Sequence, residues 1–274
     1  MAKNTFGPRW LTALGLLVAA LWLTGCPANL PPPDNALTDP VELRHAIDAR
    51  FENIEDARFR DVVLDYFGKG ERFKVRQLIV VQRPDRLRVQ TRLPGSDEIL
   101  SMLVSNGDTF ALHKRDTHEY FTGEPTRENI NRLLPVDLSG ADVVRIMLGG
   151  APWDRFEREG ATPSLRWDTR SGHYEYSVQT AQGGRLSMQV RHTDFAVISV
   201  TEVNAKDKRV YAYETNRWNN VGPIAVPTYR RFVWPERDLD FSINVGETQV
   251  NVDLEDQLFE FPPPPGSTII HVGG

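Results

Sequence analysis

The sequence predicts a mainly β domain of the α+β class: an antiparallel sheet curled round an N-terminal helix and a short helical insert. Three observations predict it. Beyond Ala57, apolar and polar residues alternate in segment after segment, the mark of strands with one dry and one wet face. Turn signals break that alternation roughly every 8–12 residues, as in a sandwich or barrel. Helical spacing is confined to residues 40–54 and 125–148. A dry face spread over about a dozen strands is too large for a flat sheet, so the sheet has to curl round the helices.

The chain opens with Lys3 and Arg9, no acid, and an apolar run from Leu11 to Leu23. A basic start, a short apolar stretch and small residues after it make a secretory signal. The run is shorter than the roughly 20 residues of a membrane-spanning helix. Leu23-Thr24-Gly25-Cys26 resembles the lipobox of bacterial lipoproteins, and Cys26 is the only cysteine. That resemblance implies loss of residues 1–25 and acylation of Cys26, which becomes the first residue and a lipid anchor. Two or more acyl chains hold a protein stably on a membrane, where one does so only marginally. Pro27 follows Cys26; in enteric lipoproteins an Asp there is the inner-membrane retention signal, so its absence favours the outer membrane. Residues 26–38, with Pro31-Pro32-Pro33, read as a lipidated, extended, semi-rigid tether. Residues 39–274 then form a single domain.

Asp39 can cap a helix, Pro40 suits its first position, and Glu42 stands three after the cap. Leu43, Ile47, Phe51 and Ile54 recur at helical spacing, predicting about four turns. Phe73, Val75, Ile79 and Val81 alternate with polar residues; after the turn Arg83-Pro84-Asp85, so do Leu87, Val89, Thr91 and Leu93. Leu93-Pro94-Gly95-Ser96 is the next turn, and Glu98 to Val104 the next strand. Asn106-Gly107 is a hairpin signal, with Thr109 to Lys114 and His118 to Phe121 following. Pro125 to Leu134 and Ser139 to Leu148 are short helices, the second stopped by Gly149-Gly150. Alternation resumes at Leu165 and Trp167, and continues through Tyr174 to Val178, Leu186 to Val190, Ala196 to Val203 and Val210 to Thr215. Thr228 to Trp234, Asp240 to Val245 and Thr248 to Leu254 complete the strands, and the proline run 262–265 ends the fold.

The chain of 274 residues has a formal net charge of −5, which becomes more acidic once Lys3 and Arg9 leave. That balance gives no footprint for nucleic acid, and a lone cysteine allows no internal disulfide. None of the six histidines stands in a zinc-protease motif, and no nucleophile elbow, phosphate loop or dinucleotide fingerprint occurs. His113, Asp116 and His118 fit either a loop metal site or a solvated hairpin tip. No cofactor, no metal and no catalytic set is expected, so the chain is not read as an enzyme. Lys74, Arg76, Arg83, Arg86, Arg88 and Arg92 make a basic area on two adjacent strands, open to anionic headgroups or to cross-strand charge pairs.

The leading helix, Val80-Val81-Gln82-Arg83-Pro84-Asp85-Arg86-Leu87-Arg88, the hairpin Ser105-Asn106-Gly107-Asp108, the insert ending Met147-Leu148-Gly149-Gly150-Ala151-Pro152, and the close Leu254 to Phe259 together resemble the LolA/LolB lipoprotein-carrier family. The resemblance covers most of residues 43–266, as pattern rather than identity. It implies an incomplete β-barrel with the helical insert as a lid over an apolar cavity. The expected lining is Phe73, Val75, Ile79, Val81, Leu87, Val89, Met102, Phe110 and Leu112, covered by Met147 and Leu148; the same residues also serve as core. With the lipobox, the resemblance implies a LolB-like protein in the outer membrane of a Gram-negative bacterium, facing the periplasm. Its partners would be acyl chains of lipoproteins or lipids, the membrane itself and a periplasmic carrier protein, with the chain a monomer. The receptor branch uses an exposed leucine on a loop between strands. Leu93 is the candidate, and it equally fits the last inward residue of its own strand. Proteins of this fold also serve as structural or stress-sensing lipoproteins that bind a protein partner, and fold alone does not choose.

Overall fold

A computed structural model describes residues 29–273, apart from 94, 134–136 and 223. The signal and the lipidated Cys26 lie outside the described residues. Helix α1 (Pro40–Ala49) leads into β1 (Asp56–Gly68), β2 (Glu71–Gln82), β3 (Arg86–Arg92), β4 (Ile99–Ser105), β5 (Phe110–Lys114) and β6 (Glu119–Gly123). Helices α2 (Arg127–Leu133), α3 (Gly140–Leu148) and α4 (Trp153–Glu157) follow. Then come β7 (Ser164–Asp168), β8 (His173–Gln179), β9 (Arg185–Arg191), β10 (Val197–Val203), β11 (Arg209–Val221), β12 (Ile224–Trp234), β13 (Leu239–Asn244), β14 (Glu247–Val250) and β15 (Thr268–His271).

All fifteen strands join one sheet, in the order β15-β6-β5-β4-β3-β2-β1-β13-β12-β11-β10-β9-β8-β7, with β14 beside the start of β1. The sheet is open, with β15 and β7 at its edges. It is mixed rather than wholly antiparallel, because β15 pairs parallel with β6. Strands β5 and β13 lie five strand spacings apart, about 24 Å along a flat sheet, yet side chains of both line one cavity. The sheet is therefore curled. The turns joining β1–β2, β3–β4, β5–β6, β8–β9, β10–β11 and β12–β13 lie at one end of it. Those joining β2–β3, β4–β5, β7–β8, β9–β10 and β11–β12 lie at the other.

Asp39 caps α1 by accepting the Val41 amide at 2.8 Å. The helix is shorter than its apolar spacing predicts. Phe51 and Ile54 are buried in tight turns beyond its end, with Arg83 donating to the carbonyls of both. Leu43 and Ile47 enter the main core with Trp153 and Phe156 of α4 and the inner faces of β8–β13. In β1 a bulge between Phe59 and Val62, with Asp61 at φ 49°, switches which parity points inward. The first half of β1 pairs with β14, the second with β13.

The outer face is dry in one region, contrary to the one-wet-face expectation. Val80, Met102 and Val104 pack there under Leu254, Leu258, Phe259 and Phe261. Residues Asp256–Phe259 form a 3-10 turn rather than a last strand, and the fold continues past the prolines into β15. The expected basic area is largely consumed by this strap and its neighbours. Arg86 pairs with Asp256 and Arg88 donates to the Leu258 carbonyl. Lys74 joins Arg72 on Asp65, and Arg92 reaches Asp97. The residues expected as a free spacer also dock. The Leu30 amide donates to the Thr169 carbonyl and Trp167 Nε1 to the Leu30 carbonyl, both at 2.8 Å, and Tyr174 Oη accepts the Leu37 amide.

Candidate functional site

A cavity of about 300 Å³ lies between the curled sheet and the helices. Strands β2 to β5 form one wall, with Ile79, Leu87, Val89, Leu103, Phe110 and Leu112 at its centre. Leu64 and Tyr66 of β1, Phe232 of β12, and Phe241 and Ile243 of β13 form the other. Val143, Ile146 and Met147 of α3 make the floor, and Ile130 of α2 with Leu138 completes the enclosure. Exposure shows which end is open. Ile79 on β2, Leu87 on β3 and Ser105 on β4 are buried, whereas Phe73, Thr91 and Ser101 on the same strands are partly or largely exposed. The mouth is thus at the end of the β1–β2 and β3–β4 turns, and α3 closes the opposite end.

Seven of the eleven expected lining residues meet at this cavity: Phe73, Ile79, Leu87, Val89, Phe110, Leu112 and Met147. Val75, Val81 and Leu148 are buried off its wall, the last two in the cluster beneath α3. Met102 is on the opposite face, under the C-terminal strap. Both parities of Leu100-Ser101-Met102-Leu103-Val104 carry apolar residues, and Ser101 and Ser105 made the truly inward parity look wet. Pairing across strands supplies the missing signal: Leu103 stands opposite Val89 and Leu112, both inward. Leu93 lies just past the end of β3, is 43% exposed, and is off the cavity wall. Like Phe73 and Ile99, it is an exposed apolar residue at the mouth end of the sheet, whereas exposed Phe67 lies on the outer face beside Asp65 and Arg231. His113 is on the outer face, its ring edge-on to Phe261 at 6.2 Å. Among the described residues no group of three or more His, Cys, Asp or Glu could hold a metal.

The floor helix is anchored at both ends by buried polar groups. Ser139 caps its N-terminus, accepting the Asp142 amide at 3.1 Å and donating to Asp154 Oδ2 at 2.6 Å. Asp142, 1% exposed, accepts the amides of Asp154 and Arg155 and so caps α4 in turn. Arg145 bridges Asp142 and Asp154. At the other end, Gly149 takes φ 91° as a left-handed cap. Arg230 of β12, fully buried, donates through Nε to the Ile146 carbonyl at 3.2 Å and through Nη2 to that of Met147. A cation at a helix C-terminus meets the negative end of its dipole. Here the helix carbonyls, the Phe59 ring at 5.6 Å and Tyr213 surround the guanidinium. Burial lowers the Arg230 pKa and pushes Tyr213 up to about 12. The alternation Arg230, Phe232, Trp234 could have marked Arg230 as inward.

Burial, followed by the repulsion of Asp154, raises Asp142 to about 6 from its ordinary 3.8. A carboxyl whose folded pKa is raised binds its proton in the native state first, so stability rises as pH falls from about 7 to 4. The shift corresponds to about 3 kcal/mol across that window. Urea titrations should therefore show the wild type gaining on Asp142→Asn as pH is lowered from 7.5 to 4.5. Parallel curves would contradict this.

No family model and no curated protein sequence matches the chain. Its shape does match solved structures. A DUF1329 family protein from Desulfovibrio piger superposes with a TM-score of 0.59 at 16% identity, covering 81% of this chain and 98% of that one. A LolA superfamily protein from Nitrosomonas europaea gives 0.55 at 12%, covering 82% and 99%. An outer membrane lipoprotein-sorting protein domain, so described, from Vibrio parahaemolyticus gives 0.57 at 8%, covering 80% and 95%. The chain has a LolA/LolB-like fold. In this chain the sheet carries an outer strap and a parallel edge strand, β15.

Proposed function

We propose that this chain is a LolB-like, lipid-anchored envelope protein that accepts acyl chains in its cavity and breaks no bond. The observation that carries this is the cavity itself: apolar walls, an apolar floor of α3 and an open mouth. Acyl chains need volume and apolar contact more than hydrogen bonds. Each buried methylene is worth roughly 0.8 kcal/mol, so part of a chain held here competes with a bilayer. In this proposal Cys26 bears the anchor in the outer membrane, α3 is the floor against which the acyl tail ends rather than the lid expected of the insert, and cargo arrives from a periplasmic carrier. The exposed rim residue Leu93 would meet the receiving surface.

Mass spectrometry of the full chain purified from membranes should find co-purified acyl lipid. Val89→Trp, which puts an indole into the cavity, should cut that lipid and the uptake of a fluorescent fatty acid about tenfold while the protein stays folded. Lipid absent from the wild type would sink the proposal and favour an envelope lipoprotein that binds a protein partner. In cells, deletion should strand other lipoproteins at the inner membrane.

A further inference from the structure

Four polar side chains of the cavity, Gln77, Thr91, Ser101 and Ser105, lie on one wall. Gln77, Thr91 and Ser101 stand in register on β2, β3 and β4, Gln77 opposite Thr91 and Thr91 opposite Ser101. Gln77 Nε2 donates to Thr91 Oγ1 at 3.1 Å. That bond leaves the Thr91 hydroxyl proton, the Gln77 carbonyl oxygen and the Ser101 hydroxyl for another partner. The facing wall, from Leu64, Tyr66, Phe232, Phe241 and Ile243, is apolar apart from the Tyr66 hydroxyl, which lies out by Gly68 at the mouth end.

The depth of the row is informative. A merely wet rim would put polar groups outermost. Here Tyr66 and Phe73, stacked at 4.6 Å, lie outside the row, and Ile79, Val89, Leu103 and Leu112 lie inside it, with Ser105 deeper beside Leu87. From Thr91 to Leu87, both on the lining, β3 spans about 13 Å, which sets the length of the well beneath. An apolar cavity with a few convergent polar groups orients its ligand through those groups.

We infer that Gln77, Thr91 and Ser101 form a shelf that binds the ester or amide linkage of an acylated ligand, its tail running inward to α3. The shelf rests on the cavity being an acyl site, and it adds the ligand class and direction. The linkage carbonyl accepts from the Thr91 and Ser101 hydroxyls. An amide N–H, where present, donates to Gln77 Oε1. A hydrocarbon or a tail-out orientation leaves all three unmet, at a cost in affinity.

The test is displacement of an anilinonaphthalene sulfonate dye from the full chain by methyl laurate or by tridecane, both delivered on cyclodextrin. The ester should bind about tenfold tighter, one net hydrogen bond's worth. Thr91→Val with Ser101→Ala, near-isosteric changes that should leave the melting temperature in place, should erase the preference without weakening tridecane. A triacylated cysteine peptide and phosphatidylethanolamine, run in the same assay, should both weaken in the variant, and the tighter of the two names the source of the linkage. A preference that survives in the variant, or equal binding of both probes to the wild type, overturns the shelf while leaving the acyl site standing. Failure of both probes to displace the dye overturns both.

Discussion

Replacing Arg230 with methionine is expected to loosen α3 specifically and to destabilise the protein by about 1–3 kcal/mol. The size follows from opposing terms. Hydrogen bonds from a charged donor are worth roughly 1.5–3 kcal/mol each, and a cation at a helix C-terminus up to about 2. Against them stands the desolvation of a guanidinium that has no carboxylate beside it, several kcal/mol in a real protein. Methionine has comparable length and no charge, so it recovers the desolvation and most of the packing. What it cannot do is satisfy the Met147 carbonyl, which Arg230 now meets in a fully buried setting, or replace its bond to the Ile146 carbonyl, which keeps the Gly149 amide and the Tyr213 hydroxyl. A bare buried carbonyl costs about 1–3 kcal/mol. Because both carbonyls belong to the floor helix, the loss should fall on α3 rather than on the sheet. Hydrogen exchange should speed for the amides of α3 by at least tenfold, with β8–β12 close to wild type. Dye uptake into the cavity should rise in parallel. An unchanged α3 with a higher melting temperature would mean that Arg230 is a tolerated burden, not a tie.

The legibility of this fold varied with how local its cause was. Asp39, Pro40 and the Leu43–Ile47 spacing marked α1, and Asn106-Gly107 marked its hairpin, because capping and turn chemistry act over a few residues. The β1 bulge was not legible. An extra residue at Asp61 moves Val62, Leu64 and Tyr66 to the parity that Ala57 and Phe59 held before it, so the half of the cavity wall on β1 went unseen. Helix α4 has five residues and takes its cap from Asp142, a dozen positions earlier and on another helix. The strap's site was partly visible. Ile79-Val80-Val81 is continuously apolar, which is how a strand covered on both faces reads. What covers it arrives from residues 254–261, and no period links the two. The lining on β12 and β13 was missed for the same reason: it reaches the cavity only because the sheet curls.

The docked tether predicts an orientation on the membrane, and the contrast between its two ends should be large. Leu30 is held at the β7–β8 turn by two backbone-directed hydrogen bonds, and its side chain lies against Gly172. That turn is at the α3 end of the sheet, away from the mouth. Four residues separate Leu30 from Cys26, at most about 14 Å of chain. Strand β2 alone, with twelve residues, runs about 36 Å between the two ends. The lipid proposed on Cys26 would therefore meet the bilayer near the floor, and the mouth, with Phe73, Leu93 and Ile99 exposed at its end of the sheet, would face what comes from the aqueous side. Delivery into the anchoring membrane would then require the tether to undock, or a partner at the mouth. Full-length protein reconstituted in vesicles with an acceptor dye in the bilayer checks this. A fluorophore on Arg170→Cys should transfer energy strongly, and one on Asp97→Cys weakly. Adding Leu30→Ser and Trp167→Phe, which remove the apolar contact and the indole donor, should bring the two efficiencies together. Equal transfer without those changes would show that the tether swings freely. Protein without an introduced cysteine should not react with the maleimide dye. If it does, Cys26 is unmodified, and the anchor rather than the orientation is at fault.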